Sequence, residues 1–366
     1  MNTGAMKSGE TSAAVITALA ADVPPAVTLS QWYEIEARLR ATEPAGWDRL
    51  VYPSWLAAYG LDPGQISDAP GGALTSPADV TPDACLVPVE HERDLSALAA
   101  DVAQAICVAR GPNAPPVGVA MFCHGSLNEH VSTTTAGRLR AVIGTPCFPF
   151  SVSQQQGASA FTALRLATDL LVAEPELHAL LIVAADKWRH PFSRRTPQGA
   201  LQGDAAGALL VERASPAMRG LRLLGAAARM LPQTGVPFEP SLSRIGTETV
   251  FTPALLALID SLLQRHDLCR NEVTAVVAQH ISQPLADAVF RHLDLAQNHP
   301  VTGARAYLGA AESIVRLTEA LAAPELPHGS IVLAWGIGLG GYVGCALLET
   351  HGTPHLCAAD DAQRPS

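Results

Sequence analysis

Several side chains in this sequence are of types that do chemistry. His280 follows the apolar run Ala275-Val-Val-Ala-Gln279, and α/β proteins gather their sites at the ends of such strands. An imidazole there can serve as a general base or hold an oxyanion, or it can be a hydrogen-bonded structural group. Cys123 and His124, with Ser126, Glu129 and His130, make a polar cluster behind the apolar run from Val117 to Cys123. Neighbouring strand residues point to opposite faces, so this cysteine and histidine cannot form a dyad. The cluster reads as a hydrogen-bonded loop or as part of a rebuilt site. Cys147, between Pro146 and Phe148, reads as a packed thiol. Asp204 follows a glycine in a tight turn and reads as a turn residue. Lys187, Arg189, Arg194 and Arg195 are a basic stretch in an acidic chain, either a solvated loop or an anion dock. The glycines from Gly336 to Gly341 lead from strand into strand. No helix N-terminus follows them to receive a pyrophosphate, so they are not a dinucleotide loop.

The chain that must position these groups has 366 residues, 48 % of them apolar and 16 % charged. It folds, and its length suggests two fused units. A net charge of -10, with Lys7 and Lys187 the only lysines, argues against nucleic acid as a partner. Seven cysteines without a C-x-x-C pair read as reduced thiols, with no metal site. The run from Ala13 to Ala20 imitates a signal peptide. Glu10 and the shortness of the run favour a first strand instead, and no stretch approaches the ~20 apolar residues of a membrane span. The expected location is cytoplasmic.

Apolar spacing predicts helix 95–110, strand 117–123, helix 134–143, strand 147–152, helix 157–173 and strands 177–184 and 205–211. The segment 216–239 reads as a strand plus an irregular linker rich in Gly and Pro, and after it the order returns: helix 253–265, strand 273–278, helices 283–293 and 310–321, strands 330–335 and 342–348. This predicts a mostly parallel sheet covered by helices, with halves 1–215 and 216–350 and a frayed tail 351–366.

Four segments resemble the thiolase-fold condensing enzymes, the ketoacyl synthase III group in particular. Phe150-Ser-Val-Ser-Gln-Gln-Gln-Gly-Ala-Ser-Ala-Phe-Thr-Ala-Leu164 is similar to the strand, turn and buried helix that present that family's nucleophilic cysteine. Leu201-Gln-Gly-Asp-Ala-Ala-Gly-Ala-Leu-Leu-Val-Glu212 is similar to its G-D-G-A-G-A strand, Gln279-His280-Ile-Ser to its histidine segment, and Ile331 to Gly341 to its terminal glycine-rich bend. The resemblance implies an α-β-α-β-α fold of two similar halves. It also implies a substrate carried as a thioester on CoA or on the phosphopantetheine arm of an acyl carrier protein, no other cofactor, and a dimer with itself or with a related ketosynthase.

The sequence departs from that family twice. Aligning the helix puts Gly157 at the cysteine's place, and aligning the strand puts Gln156 there; neither is a nucleophile. Ala306-Tyr-Leu-Gly-Ala-Ala-Glu-Ser-Ile314 stands where the family has its asparagine, and it contains none. The resemblance therefore implies His280 with Gln156 or Gly157 as the catalytic set. Cys123, His124, Tyr307, Gly309 and Gly340 would touch substrate, and Lys187, Arg189, Arg194 and Arg195 would dock the carrier. Three readings follow: acyl transfer or decarboxylation without a covalent intermediate, a glutamine-type decarboxylating site at Gln156, and a non-catalytic partner of an intact synthase.

Overall fold

In the run Ala179-Leu-Leu-Ile-Val-Ala-Ala-Asp186 every residue is buried, so this strand has protein on both faces and lies inside a layered fold. The structure is a computed structural model and describes residues 14–42, 86–130, 134–189, 194, 201–231, 247–295, 306–323 and 326–358. Its strands are β1 Ala14–Asp22, β2 Ala26–Thr28, β3 Leu86–Pro88, β4 Val117–His124, β5 Phe148–Ser153, β6 Ala179–Asp186, β7 Ala205–Arg213, β8 Gly220–Met230, β9 Val273–Val277, β10 Ile331–Gly338, β11 Tyr342–His351 and β12 His355–Ala358. Its helices are α1 Leu29–Thr42, α2 Leu95–Arg110, α3 Thr135–Ile143, α4 Ser159–Ala173, α5 Thr247–Arg265, α6 Gln283–His292 and α7 Glu312–Ala322.

The large sheet runs β5-β4-β6-β7-β1-β8-β11-β10-β9. Within it β4-β6-β7-β1 and β9-β10-β11-β8 repeat one pattern. In each, the first pair is parallel and the next two are antiparallel. The two sets meet where Val15 and Ile16 of β1 pair with Arg222 and Leu221 of β8. The sheet is thus mixed and not mostly parallel as expected, because β6 and β7, and β10 and β11, are neighbours that follow one another without a crossover helix.

Three apolar cores give the layers. Helices α2 and α3 cover the outer face of β1, β4, β6 and β7 through Leu98, Val102, Ile106 and Leu139. Helices α5 and α6 cover β8, β10 and β11 through Leu255, Ile259, Leu262 and Val289. Helices α4 and α7 lie between, with Phe161, Leu164, Ile314 and Val315 in a core shared by strands of both sets. The fold is α-β-α-β-α.

Part of the segment expected to fray is ordered. Strand β12 pairs in parallel with β1, Ala18 opposite His355 and Ala21 opposite Ala358. Helix α5 also begins six residues before its expected start, with Pro253 inside it.

Candidate functional site

Helix α4 starts without a side-chain cap. The single 3-10 turn Gln156–Ala158 leads into it, and Gln156 has a left-handed backbone at φ 43°. That conformation costs energy for a residue with a Cβ and persists where the surroundings enforce it. Here Gln156 Oε1 accepts from Leu339 N–H at 2.8 Å, in the bend between β10 and β11, and Ser159 Oγ donates to Gln156 O at 2.6 Å. Gly125, just after β4, fits against the same side chain: a Cβ there would lie 2.9 Å from Gln156 Cγ.

Gly157 is enclosed by the second half of the chain. Its N–H donates to Tyr307 OH at 2.9 Å, and Tyr307 OH donates to Ile337 O at 2.8 Å. Gln279 Nε2 donates to Gly157 O at 3.2 Å, and Gln279 Oε1 accepts from Ile337 N–H at 2.7 Å. A Cβ on Gly157 would run into Gln279 Nε2 and lie 2.6 Å from Ile337 O and 2.7 Å from Tyr307 OH. Position 157 has no room for a side chain, so the group presented at the helix start is the Gln156 amide. Burial, reinforced by the charges of Glu312 and Asp186, keeps the Tyr307 phenol protonated far above its ordinary range.

Two buried carboxylates hold the surrounding loops. Asp186 Oδ1 accepts from Gly125 N–H at 2.7 Å and Ser126 N–H at 2.6 Å, and its Oδ2 accepts from Ala310 N–H at 2.8 Å. Burial raises the Asp186 pKa, while the N–H groups of Ala310, Ser126 and Gly125 favour the ionised form. Gly309, at φ 57°, is required here because a Cβ would strike Asp186 Oδ2. Glu312 opens α7. Its Oε1 accepts from His280 N–H at 2.9 Å and Arg316 Nε at 3.2 Å, and its Oε2 accepts from Leu308 N–H at 2.6 Å.

Of the residues singled out from sequence, Gln156, Gly157, Tyr307 and Gly309 meet at this point. His280 joins it through its backbone N–H on Glu312, and the side chain that β9 delivers to Gly157 is Gln279, one residue earlier. Gly340 borders the turn, with its Cβ direction 3.8 Å from Gln154 O. Cys123 lies in the shared core, where burial pushes its thiol up to about 12. His124 Nδ1–H donates to Ser126 O at 2.8 Å, and its ring stacks on Phe122 at 4.7 Å. Cys147 is also buried, its thiol raised to about 11.

The described residues of the basic stretch, Lys187, Arg189 and Arg194, are buried and offer no exposed dock. Lys187 is buried, its Nζ 2.6 Å from Glu129 Oε1. Arg194 is buried against Asp204, with contacts of 2.8 and 2.7 Å, and its guanidinium lies 5.3 Å from the centre of the Trp32 ring. Arg189 is buried as well, and Arg195 lies outside the described residues. Lys187 and Arg194 each pair with a buried carboxylate and so tie the fold together. Asp204 lies just before β7 and not in a turn, and is a buried structural carboxylate that also accepts from Glu90 N–H and Trp188 N–H at 2.9 and 2.8 Å.

Sequence reasoning missed Gln279, Asp186 and Glu312. Asp186 was visible as the one charged residue closing the apolar run from Ala179, and Gln279 as the polar residue ending the run from Val273.

No family model and no curated protein matches the chain. Solved structures do. An acyltransferase, ChlB3, is 20 % identical at a TM-score of 0.67, the match covering 93 % of this chain and 98 % of that one. The 3-oxoacyl-(acyl carrier protein) synthase III FabH of Pseudomonas aeruginosa PAO1 is 18 % identical at 0.64, covering 93 % and 99 %. OleA of Xanthomonas campestris, with acetamide bound, is 15 % identical at 0.61, covering 92 % and 98 %. The chain has the thiolase-type fold of the condensing enzymes over nearly its whole length.

Proposed function

We propose that this chain takes an acyl thioester, on CoA or on an acyl carrier protein, and passes the acyl group directly to an acceptor with no acyl-enzyme. The observation that carries this reading is Gly157, whose side-chain direction is filled by Gln279, Ile337 and Tyr307 while Gln156 presents an amide beside it. Leu339 N–H fixes the carbonyl end of that amide, so Nε2 is the end that meets a thioester carbonyl and the negative charge growing on its oxygen. In the transfer the acyl C–S bond breaks and a bond from carbon to the acceptor atom forms. The acceptor's proton passes through His280, in the loop that Glu312 pins, to the leaving thiolate. The buried thiols Cys123 and Cys147 are raised too far to compete as nucleophiles.

The test uses the whole chain with acetyl-CoA, longer acyl-CoAs and acyl carrier protein, and hydroxylamine as a probe acceptor. Intact-mass measurement is expected to show no adduct while hydroxamate accumulates. Gln156→Gly, which suits the left-handed backbone, should lower turnover by about 10²-fold. An adduct on any cysteine, or no turnover with any thioester, overturns the reading.

A second reading is favoured by β5, an edge strand of the sheet with Phe148 66 % exposed and its ring 6.2 Å from that of Phe150. Through that edge the chain would complete a dimer, with itself or with a cysteine-bearing relative whose chemistry it supports.

A further inference from the structure

Strand β1 has β7 along one side, while its other side is shared between two strands. β8 begins only at Gly220, so it reaches Val15 and Ile16 and no further. Beyond them, residues 18–21 of β1 pair with β12. β1 and β11 both run antiparallel to β8, on its two sides, and β11 ends with His351 opposite Gly220. Gly352, Thr353 and Pro354 then carry the chain across the start of β8, and it resumes the same direction as β12, parallel to β1.

Both faces of this short strand are used. Leu356 packs against the core shared by the two strand sets, and Cys357 against the outer core under α2. Adjacent strand residues point to opposite faces, so two different neighbours fix the register of any chain lying here. The strand is nevertheless held lightly. It has four residues, the outer two exposed and the middle two half-buried, whereas every residue of β6 is buried. A strand with so few contacts opens while the rest stays folded, and its departure leaves a row of backbone N–H and C=O groups on β1 without partners. The link that feeds it is three residues long, with Gly352 in the left-handed region at φ 91°. Short links of this kind favour exchange of a strand between copies.

We propose that the side of β1 formed by residues 18–21 is an acceptor surface for an extended strand, and that its partner is segment 355–358 of a second copy of this chain, taken in exchange for the copy's own β12. Each copy then keeps its backbone pairs, made in trans, and two identical contacts join the chains. The surface lies on a different strand from the β5 edge, and it stands independently of the acyl-transfer reading.

The experiment traps the exchange through Cys357, which stands opposite Ala20. A copy carrying Ala20→Cys and Cys357→Ser can form a disulfide at this place only with Cys357 of another copy. It is mixed with the native chain at high micromolar concentration under oxidised glutathione, and linked chains are identified by peptide mass. The expected product joins position 20 of one copy to Cys357 of the other, in an amount that rises with concentration. Ala20→Cys alone, which keeps its own Cys357, reports on geometry: an internal disulfide in that copy with no linked pair in the mixture shows β12 fixed in cis and overturns the proposal. A second measurement needs no substitution. In hydrogen exchange of the native chain, the amides of residues 356–358 are expected to exchange at least about 10²-fold faster than those in the middle of β6. Equal protection means that β12 opens only with the whole fold, and overturns the proposal whether or not the Ala20→Cys chains fold.

Discussion

At the scale of single residues, the site is defined by what a glycine leaves room for. Gly157 gives up its side-chain space to Gln279 and Tyr307, and a backbone carbonyl, which cannot swing aside, closes the third direction. Gly157→Ala is therefore expected to destabilise the fold by about 3 kcal/mol, as overpacking of a tight interior does. Gly340→Ala, whose nearest neighbour stands at 3.8 Å, should be neutral or slightly stabilising. Chemical unfolding of both variants checks the pair, and equal stabilities would contradict the enclosure described. Part of this was legible beforehand. The run of glutamines into Gly157 puts no nucleophile where the resemblance expects the cysteine, yet one-dimensional alignment could not choose between Gln156 and Gly157. The choice depends on Tyr307 and Ile337, which lie far along the chain in its second half. His280 drew attention because histidines do chemistry, while the amide before it makes the contact with Gly157.

At the scale of elements, local rules decided most boundaries. Asp94 caps α2 by accepting from Ala97 N–H at 2.6 Å, and Gly111 ends that helix at φ 73°. Burial works to raise the Asp94 pKa. The Ala97 N–H, the Ser96 hydroxyl and the charges of Arg138 and His130 outweigh it and hold the carboxyl below its usual value. A carboxyl lowered on folding contributes stability above its unfolded pKa and loses it as pH falls through the folded one. Asp94→Ala should thus cost about 1 kcal/mol near neutrality, and the difference from the native chain should shrink below pH ~4. Thermal melts of both proteins across that range test the sign; a gap that widens in acid would refute it. Helix α1 escaped the sequence reading although it has a local marker: Thr28 Oγ1 accepts from Gln31 N–H at 3.2 Å and Gln31 Oε1 accepts from Thr28 N–H at 2.9 Å, while the buried Glu36 breaks the apolar stripe of Leu29, Trp32 and Leu39. Strand β12 is four residues long and exists because β1 offers it an edge. Pro253 suggested a helix start, while α5 accommodates it beyond its first turn.

At the scale of the whole molecule, the repeat of strand order was legible because helix and strand periodicities recur in the same sequence in both halves. The mixed strand directions were not, since direction depends on whether a connection crosses the sheet. Among the described residues, β5 stands at one end of the sheet. If that edge is where a second chain pairs, Phe148→Asp should shift sedimentation from the dimer to the monomer at micromolar concentration. A native chain that sediments as a monomer over the same range would remove the dimer reading.

Among the described strands the two sets of the sheet pair directly only where Val15 and Ile16 meet β8, with a further backbone bridge between Gln202 and Tyr307 and with β12 alongside β1. Most of the polar ties around Gln156 cross from one set to the other: Gly157 to Tyr307 and Gln279, Gln156 to Leu339, Asp186 to Ala310. Such ties cannot form within either half, so they close only once both halves have collapsed and docked. The site is then a late event in folding, and the amide protons of Gly157 and Ala310 become reporters of docking: their exchange with solvent follows the opening of one half from the other, while amides in the middle of β6 follow global unfolding.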